Sequence, residues 1–298
     1  MLFPAASANE KRQRLREGLR GGKILRFPGS FSPLCSMLIE KKCFEGIYIS
    51  GSVLSNDLGY PDIGLTTMSE VAQRGRMIAR ATKLPSIIDI DTGFGEPMNV
   101  TRTVQELIEL GLAGCHLEDQ MNPKRCGHLD SKSLISKEDM LKKISAAVNG
   151  KQLDKNFLII ARTDARASEG LEKAIDRAKA YVDAGAEMIF PEALQDEKEF
   201  DAFRKAISVP LLANMTEFGK SKLLTTQALQ NLGYNMVIWP VSTLRLAMKA
   251  VERGLDHLIQ EGSFATHQDE MQSRKELYEL TRYEEYNDFD QSIFNFKL

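Results

Sequence analysis

Eight short apolar runs, rich in β-branched residues, recur along this chain with helical patterns between them. They span residues 24–27, 46–50, 86–91, 114–118, 157–163, 188–191, 210–214 and 236–239. Each has the length of a strand buried on both faces, as parallel strands are. Their starts lie about 22 to 43 residues apart, the spacing of βα units. Leu171, Ala174, Ile175, Ala178, Tyr181 and Val182 form one apolar helix face, and Val104, Leu107 and Ile108 begin another. Ser136 stands in an N-cap position, and Gly111 and Gly185 stand where helix C-terminal glycines belong. Eight such units predict an α/β chain folded as a (β/α)8 TIM barrel, a fold of about 250 residues. A doubly wound sheet is the runner-up, but no glycine-rich phosphate loop follows an early strand.

The 298 residues exceed the barrel's needs at both ends. The surplus predicts a helix near 9–20 and a C-terminal helical extension over about 244–298, with an acidic surface segment at 284–290. The whole, 1–298, reads as one domain. The basic run 11–23 reads as a solvated helix face. With 39 Lys+Arg against 41 Asp+Glu, the chain lacks the basic excess of a nucleic-acid binder. It has no run of about 18 apolar residues to span a membrane. The N-terminus lacks a signal-peptide core, and Glu10 and Glu17 interrupt the basic run that a transit peptide would need. Four cysteines are too sparse for a disulfide framework, so they read as free thiols of a reducing, cytoplasmic setting. Cys35, Cys43 and Cys115 read as structural.

A barrel places its chemistry at the C-terminal ends of its strands. Most of the eight runs finish there on polar residues: Ser50, then Gly51 and Ser52; Asp89 and Asp91; Glu118; Arg162; Glu192; Asn214 and Thr216. Asp89 and Asp91, two apart on one strand, would point to the same side and could share a hard cation such as Mg2+ or Mn2+. Two solvated acids at a strand end are the alternative. Glu118 could accept from a metal-bound water. Lys124, Arg125 and His128 surround Cys126, a setting that favours thiolate, and Gly127 would let backbone approach a ligand. Cys126 reads as a catalytic thiol, with an inert cysteine or a zinc site using Cys115, His116, Cys126 and His128 as alternatives. Arg162, Arg245 and Arg274 are candidate carboxylate grips. The long connections 51–67 and 119–135 read as lids.

Lys124-Arg125-Cys126-Gly127-His128 resembles the signature of the isocitrate lyase / phosphoenolpyruvate mutase superfamily. Segments 48–52, 89–95, 116–120, 160–165, 190–193 and 212–219 follow in matching order, and the likeness runs over about 15–285. Within the superfamily the pattern is most similar to the methylisocitrate-cleaving lyases. The resemblance implies a homotetramer that exchanges a C-terminal helix between subunits. It implies Mg2+-dependent cleavage of 2-methylisocitrate to pyruvate and succinate in the methylcitrate cycle of propionate catabolism. Asp89 and Asp91 would hold the metal. Ser50, Gly51, Ser52, Cys126, Gly127, His128, Arg162, Glu192, Asn214, Thr216, Arg245 and Arg274 would form the substrate site. Cys126 would be the general acid, with Tyr48 and Glu118 as candidates for the hydroxyl base. Ser52 departs from the glycine or alanine more usual there, and segment 52–59 is about one residue shorter. Isocitrate lyase is the nearest rival, although those chains are longer. Mutases and hydrolases of the superfamily mostly lack the Cys-Gly-His signature, and intact site residues argue against a silent barrel.

Overall fold

The computed structural model describes residues 6–125, 127 and 132–294. Eight parallel strands occupy the eight runs: β1 (Leu25–Pro28), β2 (Ile47–Ile49), β3 (Ser86–Asp89), β4 (Gly114–Glu118), β5 (Leu158–Thr163), β6 (Met188–Pro191), β7 (Leu212–Asn214) and β8 (Met236–Trp239). Strands β2 to β6 pair in sequence order, and β1, β8 and β7 form a second group. Parallel bridges Gly29–Tyr48 and Ile189–Leu211 join the two groups, so the sheet closes into the predicted (β/α)8 barrel.

Between the strands run α2 (Pro33–Lys41), α3 (Gly51–Asp57), α4 (Met68–Arg80), α5 (Pro97–Glu109), α6 (Lys137–Gly150), α7 (Ala165–Glu169), α8 (Leu171–Asp183), α9 (Glu197–Ala206) and α10 (Thr226–Asn231); α1 (Ala8–Arg20) precedes them. The Ser136 hydroxyl accepts from Asp139 N and caps α6, as expected. Gly111 and Gly185 take φ of +86° and +104°, the left-handed exit that lets α5 and α8 turn into the next strand. Helix α3 is a correction: the stretch 51–67, read as one long loop, begins with two helical turns.

The alternation of strand side chains makes two cores. Phe27, Tyr48, Ile87, Leu158, Ile160, Met188, Phe190, Leu212 and Ile238 fill the barrel interior. Their sequence neighbours Ile47, Ile49, Ile88, Ile159, Ala161, Ile189 and Val237 pack outward against the helices.

Helix α1 joins the interior core through Leu15 and Leu19. Its basic face is the second correction, because Lys11 and Arg12 are buried. Lys11 Nζ donates to Ala79 O, while Arg12 donates to Ile108 O and Leu112 O and pairs with Asp154. These carbonyls lie at or just past the C-terminal ends of α4 and α5, where carbonyls lack intrahelical partners and favour positive charge. Burial lowers the Lys11 ammonium to about 8.

After the barrel come α11 (Ser242–Glu261), α12 (Arg274–Thr281) and α13 (Tyr283–Phe294). The acidic stretch 284–290 thus belongs to a helix. No helix among the described residues is long and apolar enough to cross a membrane. Cys35 and Cys115 are buried as expected, but Cys43 is exposed, at a φ of +60° beyond the end of α2.

We expect Arg12→Met to destabilise the fold by about 3 kcal/mol at pH 7, since it strands Asp154 and two carbonyls. Despite partial burial, Arg12 holds the Asp154 carboxyl below its ordinary value. The pair's contribution is therefore full above that value and fades as pH falls through the depressed one. Urea unfolding at pH 7 and pH 3 should show the gap narrowing in acid. A pH-independent gap would contradict this account.

Candidate active site

The inward alternation that fills the barrel continues past its last apolar layer. Leu158 and Ile160 are followed by Arg162, Met188 and Phe190 by Glu192, and Leu212 by Asn214. Tyr48 leads to Ser50, Ile87 to Asp89, and Gly114 to His116 and Glu118. Six strands thus deliver polar side chains to the C-terminal mouth. There they surround a cavity of about 220 Å3. Tyr48, Ser50, Ser52, Asp89, Gly127, Arg162, Glu192, Asn214, Thr216 and Arg245 line it, all expected from the sequence.

Arg162 stands at the centre, buried, with its guanidinium stacked over Phe190 at 5.1 Å. Nε is 2.9 Å from Asp164 Oδ2, 3.2 Å from Glu118 Oε2 and 3.9 Å from Glu192 Oε2. Against burial, these carboxylates keep the guanidinium charged. Behind it, Asp119 accepts from Thr163 Oγ1, Asp164 N and Tyr181 OH at 2.7 to 2.8 Å, fixing the end of β5. Asn214 Nδ2 donates to Glu192 and its Oδ1 accepts from Thr216 N, which joins β6 to β7.

Asp89 and Asp91 converge, but by another route than the expected one. Strand β3 ends at Asp89, and Asp91 lies beyond it at a φ of +48°. That left-handed residue turns the chain, so the two side chains do not stand side by side on one strand. They meet over the bare face of Gly51. A Cβ there would sit 3.0 Å from Asp91 Oδ1 and 3.1 Å from Asp89 Oδ2. Gly51 N donates to Asp89 Oδ2 at 3.2 Å, and Asp91 N to Asp89 Oδ1 at 3.0 Å.

Both carboxylates are buried. Burial and the adjacent Asp89 push the Asp91 carboxyl up to about 6, with Lys124 opposing. At Asp89, burial is outweighed by the positive groups facing it, and the carboxylate stays ionised. Glu118 Oε1 makes no hydrogen bond, and the Lys124 ammonium is the side-chain partner of Asp91 Oδ1, at 2.8 Å. Among the described residues no three His, Cys, Asp or Glu side chains close into a complete ligand set. Two buried carboxylates converging over a bare glycine face fit Mg2+, which takes one or two carboxylates and fills its remaining positions with water and substrate.

The sequence reading missed Lys124 and Asp62 as parts of this site. The Lys124 ammonium, 4% exposed, contacts Asp62 and lies 2.8 Å from Asp91 Oδ1. Against burial, the acids around it hold it firmly protonated. Lys132 was missed too: its Nζ reaches Gly127 O and Asp164. Nothing in the local sequence marks Asp62 or Lys132, because both arrive from connections between elements.

Of the two expected bases, Tyr48 lines the cavity and bonds His116 Nε2 at 2.7 Å, whereas Glu118 lies behind Arg162. Burial keeps the Tyr48 phenol protonated and lowers His116 to about 4, so the imidazole is neutral. Burial also raises the Glu118 carboxyl. Cys115 packs outward while His116 points into the barrel, so the two do not share a face. Cys126 and His128 lie outside the described residues. Arg245 reaches the mouth from α11 and pairs with Glu217 at 3.1 Å. Arg274 does not reach it: it starts α12, exposed, and lines a separate groove with Tyr278 and Arg282.

A mouth built of buried carboxylates and arginines on a closed parallel barrel is the mark of an enzyme acting on a small acid. Residues 15–259 match the family described as phosphoenolpyruvate phosphomutase. "Probable 2-methylisocitrate lyase 2" of Corynebacterium glutamicum is 55% identical over 99% of this chain and 96% of its own. The 2-methylisocitrate lyase of Halalkalibacterium halodurans is 46% identical over 96% and 95%. Among solved structures, an oxaloacetate acetylhydrolase complexed with 3,3-difluorooxalacetate matches with a TM-score of 0.92 at 31% identity, covering 98% of this chain and 100% of the other. A phosphonopyruvate hydrolase complexed with oxalate and Mg2+ matches at 0.86 and 30%, covering 94% and 98%. The chain belongs to the phosphoenolpyruvate phosphomutase family, within the isocitrate lyase / phosphoenolpyruvate mutase superfamily. Its similarity to the 2-methylisocitrate lyases over nearly its full length makes it a carbon–carbon lyase.

Gly51→Ala places a methyl group between the two carboxylates. At the start of α3 alanine gains up to about 1 kcal/mol from propensity, but its methyl sits closer to both buried carboxylates than an ordinary contact, so they must shift. The metal-free thermal midpoint of the variant is the reference for its metal response. Saturating Mg2+ should stabilise the wild-type chain by about 2.7 kcal/mol at a hundredfold excess over Kd, and the variant should lose that response. An undiminished Mg2+ response in differential scanning calorimetry would refute this geometry.

Proposed function

We propose that this chain cleaves 2-methylisocitrate to pyruvate and succinate, and that it does so with Mg2+ held by Asp89 and Asp91. The observation that carries the reading is one cavity in which Asp89 faces Arg162 and Arg245, with Asp91 meeting Asp89 over Gly51 at its edge, in a chain 55% identical to a protein bearing that lyase name. A tricarboxylate needs cationic grips, and guanidinium forks match carboxylates. The Mg2+ in the phosphonopyruvate hydrolase complex supports the choice of metal; Mn2+ is the alternative of the same chemistry.

Ser50, Gly51 and Ser52 hold the portion that becomes pyruvate. Arg162, Arg245, Asn214, Thr216, Glu192, Gly127 and His128 hold the portion that leaves as succinate. Asp89 and Asp91 would hold the cation, which would supply positive charge to stabilise the oxyanion that develops on the substrate. Tyr48 lines the cavity and Glu118 does not, so the hydroxyl proton goes to the Tyr48 oxygen as the phenol's own proton passes along its hydrogen bond to the neutral His116 Nε2. The oxygen's electron pair forms the pyruvate carbonyl as the C–C bond breaks. The electrons of that bond pass to the succinate fragment, whose carbon takes a proton from the Cys126 thiol. The arginines stabilise the charge that builds on the departing carboxylate. Arg274, away from this cavity in its own chain, is assigned here only through a neighbouring subunit.

The same reading places the enzyme in the methylcitrate cycle of propionate catabolism, in the cytoplasm, as a single lyase domain with its extension over about 244–298. It assembles as a homotetramer through exchange of a C-terminal helix. Helix α11 supports this: Leu246, Met248, Val251, Leu255 and Ile259 are exposed, and His257 alone of its twenty residues is buried. An uncovered apolar face of that size marks an interaction surface. Its partners are small acids and copies of itself, with no role for nucleic acid or membrane.

Pyruvate release should be observed with 2-methylisocitrate and Mg2+, abolished by EDTA, and reduced by about 100-fold or more in Cys126→Ser. Turnover of isocitrate at higher efficiency would move the assignment to isocitrate lyase. No turnover of either substrate would defeat the lyase reading proposed here.

A further inference from the structure

Lys132 is a buried lysine that the mechanism above does not use. Its side chain is 1% exposed, and its Nζ makes two contacts. One is a hydrogen bond to the carbonyl of Gly127, the residue that follows Cys126 in the chain. The other is an ion pair with Asp164 Oδ1 at 2.9 Å. Asp164 is itself fully buried, and its two oxygens grip Arg162 at Nε (2.9 Å) and Nη2 (3.1 Å). The ammonium therefore touches both the signature segment and the carboxylate that sets the direction of the central guanidinium.

The packing makes this link stiff. A Cβ on Gly127 would lie 2.4 Å from Arg162 Nη2 and 2.5 Å from Glu192 Cγ, so the Gly127 backbone rests directly against the guanidinium. A shift of Gly127 moves Arg162, and a rotation of Arg162 strikes Gly127. The charge balance points the same way. Arg162 faces Glu118, Asp164 and Glu192, and Asp164 is the one it grips with two hydrogen bonds. The second cation on Asp164 is Lys132, and a buried acid stripped of one of two cations would pull harder on the other.

We infer that Lys132 is a positioning residue, one that holds Gly127 and the Asp164–Arg162 pair in the register the substrate carboxylate meets. It touches no reacting atom. This inference rests on the reaction proposed above for its kinetic readout, and on a second readout that needs no substrate. Misplacing a gripping group by about 1 Å can cost on the order of 100-fold, so the effect should be large for a residue outside the cavity lining.

The test uses the full chain with Lys132→Met and Lys132→Arg. Both are assayed for pyruvate release from 2-methylisocitrate with Mg2+. Both are also treated with iodoacetamide without substrate, and alkylation of Cys126 is followed by peptide mass spectrometry with exposed Cys43 as the internal reference. Lys132→Met should lower kcat/KM by about 100-fold, raise KM as well as lower kcat, and change the Cys126 to Cys43 alkylation ratio. Lys132→Arg, which keeps a buried cation on Asp164, should recover most of each loss. A kcat/KM for Lys132→Met within about threefold of wild type overturns the inference. So does a large kinetic loss with an unchanged alkylation ratio, which would place the effect away from Gly127. If Lys132→Met does not fold, Lys132→Gln, which keeps an N–H for Gly127 and removes the charge, is read against the same limits. If the wild-type chain turns over no methylisocitrate, the proposed reaction fails, and the alkylation ratio still decides the positioning role.

Discussion

A full positive charge sits inside the barrel at Arg162, and much of the mouth is arranged around keeping it there. An uncompensated buried guanidinium would cost several kcal/mol. The chain answers with Glu118 from β4, Asp164 at the end of β5 and Glu192 after β6. It adds the face of Phe190 beneath and the glycine backbone of 127 alongside. Burial raises the Glu118 carboxyl, which lightens the negative charge around the guanidinium. Lys124, Lys132 and Arg245 add positive charge at the mouth, each paired with an acid, and a divalent cation on Asp89 and Asp91 would add to them.

The barrel supplies this geometry through the pleat. The same period of two that buries Leu158 and Ile160 in the interior carries Arg162 to the mouth above them. Below, the interior is plugged by Leu15 of α1, and the cations of α1 tie the floor to the ends of α4 and α5. The dry apolar layers thus support a charged layer and shield it from solvent on one side. That shielding underlies the raised carboxyls of Asp91 and Glu118 and the neutral His116. An environment that raises an acid also strengthens its attraction to a cation.

Period and composition made the strands legible: all eight lie in the expected runs, because strands buried on both faces must be apolar and short. Most of the mouth was legible for the same reason, since a polar residue that ends such a run must face the cavity. Features set by distant contacts were not. Asp91 reads as a strand residue until its positive φ is seen, and the convergence with Asp89 is made by a turn and by Gly51 from the neighbouring strand's end. Lys11 and Arg12 read as solvated because no sequence pattern reveals that helix ends 68 to 100 residues away offer them carbonyls. Asp62 and Lys132 reach the site from connections, where periodicity says nothing. Arg274 was placed by likeness alone, and its position on exposed α12 separates it from the cavity of its own chain.

The central claim is that Asp89 and Asp91 form one divalent-cation site at the barrel mouth. Electron paramagnetic resonance of Mn2+ titrated into the wild-type chain, and into Asp89→Asn and Asp91→Asn, tests it most directly. The account predicts one tight ion per chain, displaced by Mg2+ and weakened by about 100-fold or more in each variant. Mn2+ binding that survives both substitutions unchanged would contradict it.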